Sequence, residues 1–177
     1  MQGPDFDLSS LETPAYVIDL GRLRRNLSLL DVVQQRTGAR VLLALKGYAA
    51  HATFPLIREV LSGAAASSVA EAHLARELGR EVHVYAPAFS ELDVTELLPL
   101  ADHVVFNSVG QLERFGERFR AGPRRAELGL RINPEHRETA VALYDPCAPG
   151  SRLGVPRAAM PDRLVGMLDG LHFHNLC

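Results

Sequence analysis

Short apolar runs alternate with segments of helical pattern along this 177-residue chain, and this alternation constrains the fold more than any other feature. The runs begin at intervals of 23, 18, 21, 25 and 43 residues, close to the length of a strand and a crossover helix. Most are continuously apolar, as expected for strands buried on both faces of a parallel sheet. The sequence predicts six strands: 41–46, 64–68, 82–87, 103–108, 128–133 and 171–176.

Serine residues mark the expected starts of three intervening helices. Each is followed three residues later by an acid or an amide, the spacing of a capping box in which both side chains bond to early backbone N–H groups. The pairs are Ser68 with Glu71, Ser90 with Asp93, and Ser108 with Gln111. We therefore expect a helix to begin directly after each of these serines.

Two architectures fit such an alternation, an open doubly wound sheet and a closed (β/α)8 barrel. The chain contains neither G-x-G-x-x-G nor G-x-x-x-x-G-K-[ST], the glycine-rich turns of dinucleotide and nucleoside triphosphate sites. This absence favours the barrel. Barrel enzymes build their sites at the carboxyl ends of the strands. The polar residues at those predicted ends are Lys46, Ser68, Asn107, Asn133 and His174.

Lys46 is the only lysine among the 19 Lys and Arg residues of the chain. A lysine can lose its proton and attack a carbonyl carbon, whereas an arginine stays protonated. Because Lys46 ends an apolar strand, we expect its stem to be poorly solvated. Such an amine would suit an aldolase that binds substrate directly, or an enzyme that holds pyridoxal 5'-phosphate (PLP). The alternative is a lysine whose stem packs on apolar surface while its head reaches water.

Two further segments carry candidate site residues. His172 and His174 lie on one side of the last predicted strand. They could ligate a metal, form hydrogen bonds as structural residues of the core, or stack on a flat cofactor. A third ligand at suitable spacing is not evident, which disfavours zinc, and we expect no metal. Arg152 lies in a proline- and glycine-rich loop, 145–155, which is either an ordinary solvated turn or a rigid positioning segment.

Composition argues against several classes of function. The net charge of −2, the pI near 6.4 and the scattered arginines give no basic surface for nucleic acid. The N-terminal segment is acidic, and no segment approaches about 18 apolar residues, so we expect neither secretion nor membrane insertion. Cys147 and Cys177 have neither metal-ligand nor disulfide-framework spacing, which indicates a reducing compartment, the cytoplasm.

Nine stretches that span almost the whole chain together resemble the carboxynorspermidine decarboxylase family. They are TPAYVIDL, LLALKGYA, FPLI, SGAAASSVAEA, EVHVYAPAFSE, DHVVFNS, GLRINPE, YDPCAPGSRLGV and GLHFHNLC. The resemblance implies a PLP-dependent carboxy-lyase of the alanine racemase and ornithine decarboxylase superfamily, with a TIM-type (β/α)8 PLP-binding barrel (fold type III). Family members decarboxylate carboxynorspermidine, and often carboxyspermidine, to norspermidine or spermidine in polyamine biosynthesis.

The resemblance also implies roles for individual residues. Lys46 matches the lysine that binds PLP covalently, and His174 matches the histidine that stacks on the pyridine ring. Arg131 matches an arginine near the cofactor in the decarboxylase branch, and Arg152 matches one that contacts the phenolic oxygen in the racemase branch. Cys177 lies where related decarboxylases place a serine near the phosphate.

Compared with members of that family, the chain is expected to contain only the N-terminal part of the barrel, about six of its eight strands. We assign residues 1–40 to an N-terminal strand and first helix that lead into the barrel, and residues 41–177 to a partial PLP-binding barrel. The C-terminal β-domain of the family is expected to be absent. Because the resemblance implies homodimers whose sites borrow residues from the partner, we expect this segment alone to be inactive. Exposed sheet edges should make it poorly soluble.

Alternative functions stay open at this point. The chain could be a non-catalytic PLP carrier, a related PLP-barrel amino-acid racemase or decarboxylase, or a pseudo-enzyme that binds a partner. Two positions depart from the pattern of other superfamily branches. Ala65 stands where ornithine-type relatives have an acidic residue, and Asn175 stands where a threonine is usual.

Overall fold

A computed structural model describes residues 8–139, 141, 144–164 and 166–175, and within these ranges the chain forms five α-helices and seven β-strands. The helices are α1 (Leu20–Thr37), α2 (Phe54–Ile57), α3 (Val69–Glu77), α4 (Glu91–Leu97) and α5 (Val109–Ala121). The strands are β1 (Leu42–Ala44), β2 (Gly63–Ala66), β3 (Glu81–Tyr85), β4 (His103–Phe106), β5 (Glu127–Asn133), β6 (Val155–Pro156) and β7 (Gly170–His172).

All strand pairs of the sheet are parallel. Strands β1 to β5 lie side by side in chain order, and β5 also pairs with β7 through residues 129–131 and with β6 through residues 132 and 133. Each of the six predicted strands is present within one or two residues of its expected start. Strand β6 was not predicted, because its two residues lie at the end of the loop that is rich in proline and glycine and carry no periodic pattern.

The three predicted serine caps are confirmed. The hydroxyl oxygens of Ser68, Ser90 and Ser108 accept from backbone N–H groups three residues later, at 3.2, 3.1 and 3.3 Å. A reciprocal bond completes the capping box only at Ser90, whose N–H donates to the Asp93 carboxylate at 2.8 Å. At α3 the acid instead accepts from the N–H of Ser67. The sequence therefore placed these helix starts correctly but overstated the number of complete boxes.

Burial differs between the two faces of the sheet. On the face that packs against α3, α4 and α5, alternate strand residues are almost fully buried: Val82, Val84, Val104, Phe106, Leu128 and Leu130. Burying a side chain of this kind contributes about 1.5–3 kcal/mol. Residues between them, such as His83 and Tyr85, are half-buried on the opposite, inner face. The expected burial on both faces is met only in part: the inner face is half-buried, because within the described ranges helices cover the other face alone.

The strand that we expected before α1 is not found in the described residues 8–19, and it stays a prediction for the rest of this segment. Residues 11–19 contain neither helix nor strand, and residues 1–7 lie outside the described ranges. Several apolar side chains in this part of the chain are exposed, among them Tyr16 and, on α1, Leu29. The division of the chain at residue 40 stays a prediction. None of the described helices combines the length and apolar character needed to cross a membrane.

Candidate functional site

The parallel pairing brings the carboxyl ends of the strands to one edge of the sheet. Polar residues lie at this edge within two positions of a strand end, as the sequence predicted: Lys46 after β1, Ser68 after β2, Asn107 after β4, Asn133 at the end of β5, and His174 after β7. The edge therefore gathers an amine, an imidazole, a hydroxyl and two amides from distant parts of the chain.

Lys46 lies in a tight turn rather than within β1. Its turn is closed by bonds from the backbone N–H groups of Gly47 and Tyr48 to the carbonyl of Ala44, at 3.0 and 3.1 Å. The side chain is exposed, so the expected poorly solvated position was wrong. The physical reason is that β1 is flanked by only one strand, β2, in the described part of the chain. The amine is thus accessible from solvent.

Arg131 is the buried cation of the site. It lies in β5 with 5% of its surface exposed, and its Nη1 donates to the hydroxyl of Tyr85 at 2.7 Å. The buried Nε has no hydrogen-bond partner, and no carboxylate in the described ranges pairs with the guanidinium. Removing an unpaired charge from water is costly. The position therefore favours an anionic group beside Arg131.

Asn107 connects Tyr85 to the loop that precedes β6. Its Oδ1 accepts from the Tyr85 hydroxyl at 3.0 Å and from the N–H of Gly154 at 2.9 Å. Its Nδ2 donates to the carbonyl of Arg152 at 2.9 Å. The Asn107 side chain is thus used at both ends, and a continuous chain of hydrogen bonds runs from Arg131 to residues 152–154.

The same loop makes a close backbone contact with β5. Gly154 has φ +82°, and a Cβ at this position would lie 2.7 Å from the carbonyl carbon of Ile132. Glycine adopts such a conformation without strain and leaves room for the contact. Arg152 itself has an exposed side chain, and only its carbonyl joins the network. Its predicted contact with a cofactor stays a prediction.

His172 and His174 stand beside Arg131. The ring of His172 lies 5.2 Å from that of Tyr85, and its buried Nδ1 has no hydrogen-bond partner. Burial, and then the positive charges of Arg131 and His174, lower the pKa of His172 to about 4. Burial, followed by the charges of Arg131 and Lys46, lowers the pKa of His174. Both rings are therefore neutral near pH 7, and Lys46, Arg131 and His174 share one electrostatic environment.

The remaining site predictions have separate outcomes. Cys177 lies outside the described residues. Within the described part of the chain, no carboxylate, cysteine or further histidine forms a metal-binding group with His172 and His174. Cys147 is buried, and burial followed by the nearby Asp145 carboxylate raises the pKa of its thiol. It donates from Sγ to the carbonyl of His174 at 3.4 Å, which anchors the end of β7 to the loop.

Sequence reasoning missed the part played by Tyr85. The signal was present, because Glu81, His83 and Tyr85 alternate with Val82 and Val84 in β3 and so share one face of the strand. A polar row facing inward in an otherwise apolar strand indicates a buried network.

Comparison with known proteins gives the chain its relatives. No protein-family model matches it. It is 45% identical over 171 residues to a carboxyaminopropylagmatine decarboxylase from Synechocystis sp., which covers 96% of this chain and 44% of that protein. It is 39% identical over 168 residues to a carboxynorspermidine/carboxyspermidine decarboxylase from Campylobacter jejuni, covering 94% and 43%. The resemblance to carboxynorspermidine decarboxylases is confirmed.

A solved structure agrees with this assignment. The crystal structure of carboxynorspermidine decarboxylase from Campylobacter jejuni, complexed with norspermidine, matches with a TM-score of 0.81 and 36% identity. The match covers 94% of this chain and 42% of that chain. The predicted α/β fold, a parallel sheet that forms part of a (β/α)8 barrel, is therefore also confirmed. The chain spans less than half the length of the relatives that it matches.

Proposed function

We propose that this chain contributes the lysine-bearing part of an enzyme that decarboxylates carboxynorspermidine or carboxyspermidine, giving norspermidine or spermidine, with PLP as cofactor. The observation that carries this function is the buried guanidinium of Arg131, whose Nε has no partner and whose charge acts on His174 together with that of Lys46. The identity of 39% with a carboxynorspermidine/carboxyspermidine decarboxylase supports the same reaction.

The described residues fit PLP chemically. PLP carries an aldehyde, an aromatic ring and anionic oxygens, and each has a counterpart here. Lys46 offers an exposed amine to the aldehyde, and the unpartnered Nε of Arg131 offers a donor to an anionic oxygen. His174 offers a neutral, flat ring for stacking. When bound, PLP accepts the electron pair that is released as the substrate carboxylate leaves as CO2.

The residues of the chain have distinct tasks in this proposal. Lys46 would hold the cofactor covalently, and its place in a turn leaves its amine accessible. Arg131 orients an anionic oxygen, and its hydrogen bond to Tyr85 fixes the direction of the guanidinium. His174 and His172 stay neutral near pH 7, so they do not add repulsion to the two cations already present.

Arg152 and Cys177 are the less direct members of the proposed cofactor site. Arg152 follows Ser151, whose hydroxyl donates to the carbonyl of Pro146 at 2.7 Å, so its backbone is held although its side chain is exposed. The guanidinium of Arg152 is assigned to the phenolic oxygen of the cofactor by resemblance. Cys177 follows β7 by five residues and is assigned to the phosphate by resemblance.

The comparison with the Synechocystis relative suggests a second candidate substrate. The relative with 45% identity is a carboxyaminopropylagmatine decarboxylase. The agmatine part of that substrate carries a guanidine. Both substrate types present an amine and a carboxylate to the cofactor and differ in the cationic tail. We therefore propose carboxyaminopropylagmatine as the alternative substrate of the same site.

The decisive experiment incubates the native protein with PLP and each of the three carboxylated polyamines, and measures CO2 together with the polyamine product. We expect one of the three compounds to be decarboxylated. We expect neither L-alanine nor D-alanine to be racemised. Covalent PLP binding without CO2 release would instead indicate a non-catalytic carrier. Racemisation of alanine would indicate the racemase branch.

We further propose that the native protein is a cytoplasmic homodimer. The buried free thiol of Cys147 is compatible with a reducing compartment. The exposed apolar side chains of Tyr16, Leu29 and Phe173 offer surface that an assembly would cover. Sedimentation analysis of the native protein should give twice the mass of one chain, and cell fractionation should recover it with cytoplasmic markers.

A further inference from the structure

A second polar cluster lies on the inner face of the sheet, toward the amino ends of its strands. His83 in β3, His103 in β4 and Glu127 in β5 are direct neighbours in the strand register. Glu81 precedes His83 by two residues and so faces the same side. The proposed cofactor site does not use these four residues. An apolar barrel layer would need none of them, which raises the question of what they bind.

The distances within the cluster match those of a metal site. The Nε2 atoms of His83 and His103 lie 3.2 and 3.6 Å from the same oxygen, Oε2 of Glu81. One ligand atom from each of the three residues lies within 4.8 Å of the others. In a tetrahedral zinc site with bonds of about 2.0–2.1 Å, neighbouring ligand atoms are about 3.3 Å apart. Two imidazoles and one carboxylate are a common protein ligand set for zinc with one open position.

The outer contacts of the cluster support the same interpretation. The Nδ1 of His103 lies 3.2 Å from Oε2 of Glu127. A carboxylate on the far nitrogen of a ligating histidine fixes the tautomer and the ring direction, and zinc sites use this arrangement regularly. Here it leaves the Nε2 lone pair of His103 directed to the Glu81 side. Arg40 binds Oε1 of Glu81, so Oε2 is the oxygen left for a cation.

The two imidazole rings are stacked in this structure. Their centroids are 3.9 Å apart and their planes differ by 8°. Parallel rings do not direct two lone pairs at one ion, so binding must tilt the rings apart. Space for this movement exists, because a cavity of about 120 Å³ borders both rings, and their side chains keep 26% and 23% of their surface exposed. Ion binding should therefore change the environment of both rings in a measurable way.

We propose that Glu81, His83 and His103 form a binding site for a divalent transition metal, best suited to zinc, with Glu127 as a positioning residue. The ion would link β3 to β4 at the sheet edge opposite to Lys46. It would stabilise the fold there and take no part in the decarboxylation. The site depends only on residues of this chain and stands independently of the proposed function.

The test titrates zinc into the native protein, without added PLP, by isothermal calorimetry, and uses Co²⁺ absorption to report tetrahedral coordination. One ion per chain is expected. The variants His83→Ala and His103→Ala should each weaken binding at least tenfold, and Glu127→Gln should weaken it about 10- to 100-fold. His73→Ala is the matched control, because it removes an exposed histidine from α3. It should leave the affinity unchanged.

If a variant fails to fold, a measurement on the wild-type protein still tests the proposal. Zinc should shift the NMR signals of the His83 and His103 rings and leave that of His73 in place. The proposal is overturned if the wild-type protein binds no zinc, or if His83→Ala binds it as tightly as the wild type. It is equally overturned if binding disappears in the His172→Ala, His174→Ala double variant while the His83 and His103 signals do not move.

Discussion

The guanidinium of Arg131 binds Tyr85 in two ways at once. It donates to the phenolic oxygen at 2.7 Å, and its carbon lies 5.0 Å from the ring centroid. The hydroxyl in turn donates to Asn107. An arginine with so little freedom is preorganised for an anion, since little side-chain entropy remains to be lost on binding.

Replacing Tyr85 by phenylalanine tests this arrangement. The variant keeps the ring beside the guanidinium and removes the hydroxyl, so Arg131 loses a hydrogen bond. Hydrogen bonds that involve a charged group contribute about 1.5–3 kcal/mol, and we expect PLP affinity to fall about tenfold. Fluorescence titration of the native protein with PLP measures the change. Tyr144→Phe, which alters an exposed tyrosine, should bind PLP normally. Unchanged affinity in Tyr85→Phe would show that the hydroxyl does not position Arg131.

Lys46 should carry the covalent cofactor. Borohydride reduction of the PLP-loaded protein, followed by peptide mass spectrometry, is expected to place the pyridoxyl label on Lys46. Lys46→Arg keeps the positive charge but lacks a reactive amine, so labelling and decarboxylation should both be abolished. Arg36→Lys adds a second lysine at an exposed position on α1. If the position of Lys46 matters and not merely the presence of an amine, the new lysine stays unlabelled and Lys46 keeps its label.

The neutral state of His172 gives stability a pH dependence. Its pKa is lowered from 6.5 to about 4 in the folded chain. Above pH 6.5 the ring is neutral in both states, and the full stability is present. Below pH 6.5 only the unfolded chain takes up the proton, so stability falls until the folded ring titrates near pH 4.

Urea denaturation of wild type and His172→Gln at pH 7.5 and pH 4.5 measures this effect. The wild type should lose about 1–2 kcal/mol more than the variant on acidification, about half of the full linkage value, because the ring is only partly buried. Comparing the two proteins cancels the contributions of His174, His83 and the carboxylates. An equal loss in both proteins would mean that His172 is not neutralised by its surroundings.

Asn107→Ala should loosen the loop before β6. The change removes the acceptor for Tyr85 and Gly154 and the donor to Arg152, and leaving buried partners unpaired costs about 1–3 kcal/mol per group. Trypsin cleaves after exposed arginines, so cleavage after Arg152 should become faster. Gel analysis of limited proteolysis gives the rate. Asn26→Ala, in an exposed position on α1, is the matched control and should be cleaved as the wild type is.

Much of the fold could be predicted from the sequence because its signals are local. Apolar runs marked the strands, and Ser68, Ser90 and Ser108 marked helix starts through bonds to residues three positions away. Strand β6 escaped because two residues carry no periodic pattern. Its pairing with Ile132 and Asn133 is set by contacts between residues more than 20 positions apart.

The site was predictable only in part. Parallel strands follow from the alternation, and parallel strands bring Lys46 and His174 to one edge, so their neighbourhood could be expected. The exposure of Lys46 could not, because it depends on how many strands flank β1. Tyr85 and Asn107 were missed as a pair for a similar reason. Their bond joins β3 to the end of β4 across 22 positions, and no single segment of sequence shows it.

Gly154 has a mechanical consequence for the whole edge. Its backbone lies so close to Ile132 that no side chain fits between them, and its N–H is held by Asn107. Any displacement of this loop strains the hydrogen bond between Gly154 and Asn107. The strain then passes to the bond between Asn107 and Tyr85, and to the bond between Tyr85 and Arg131. A change in the position of this loop would therefore alter the direction of the Arg131 guanidinium, although the two lie in different parts of the chain and are connected through Asn107 and Tyr85.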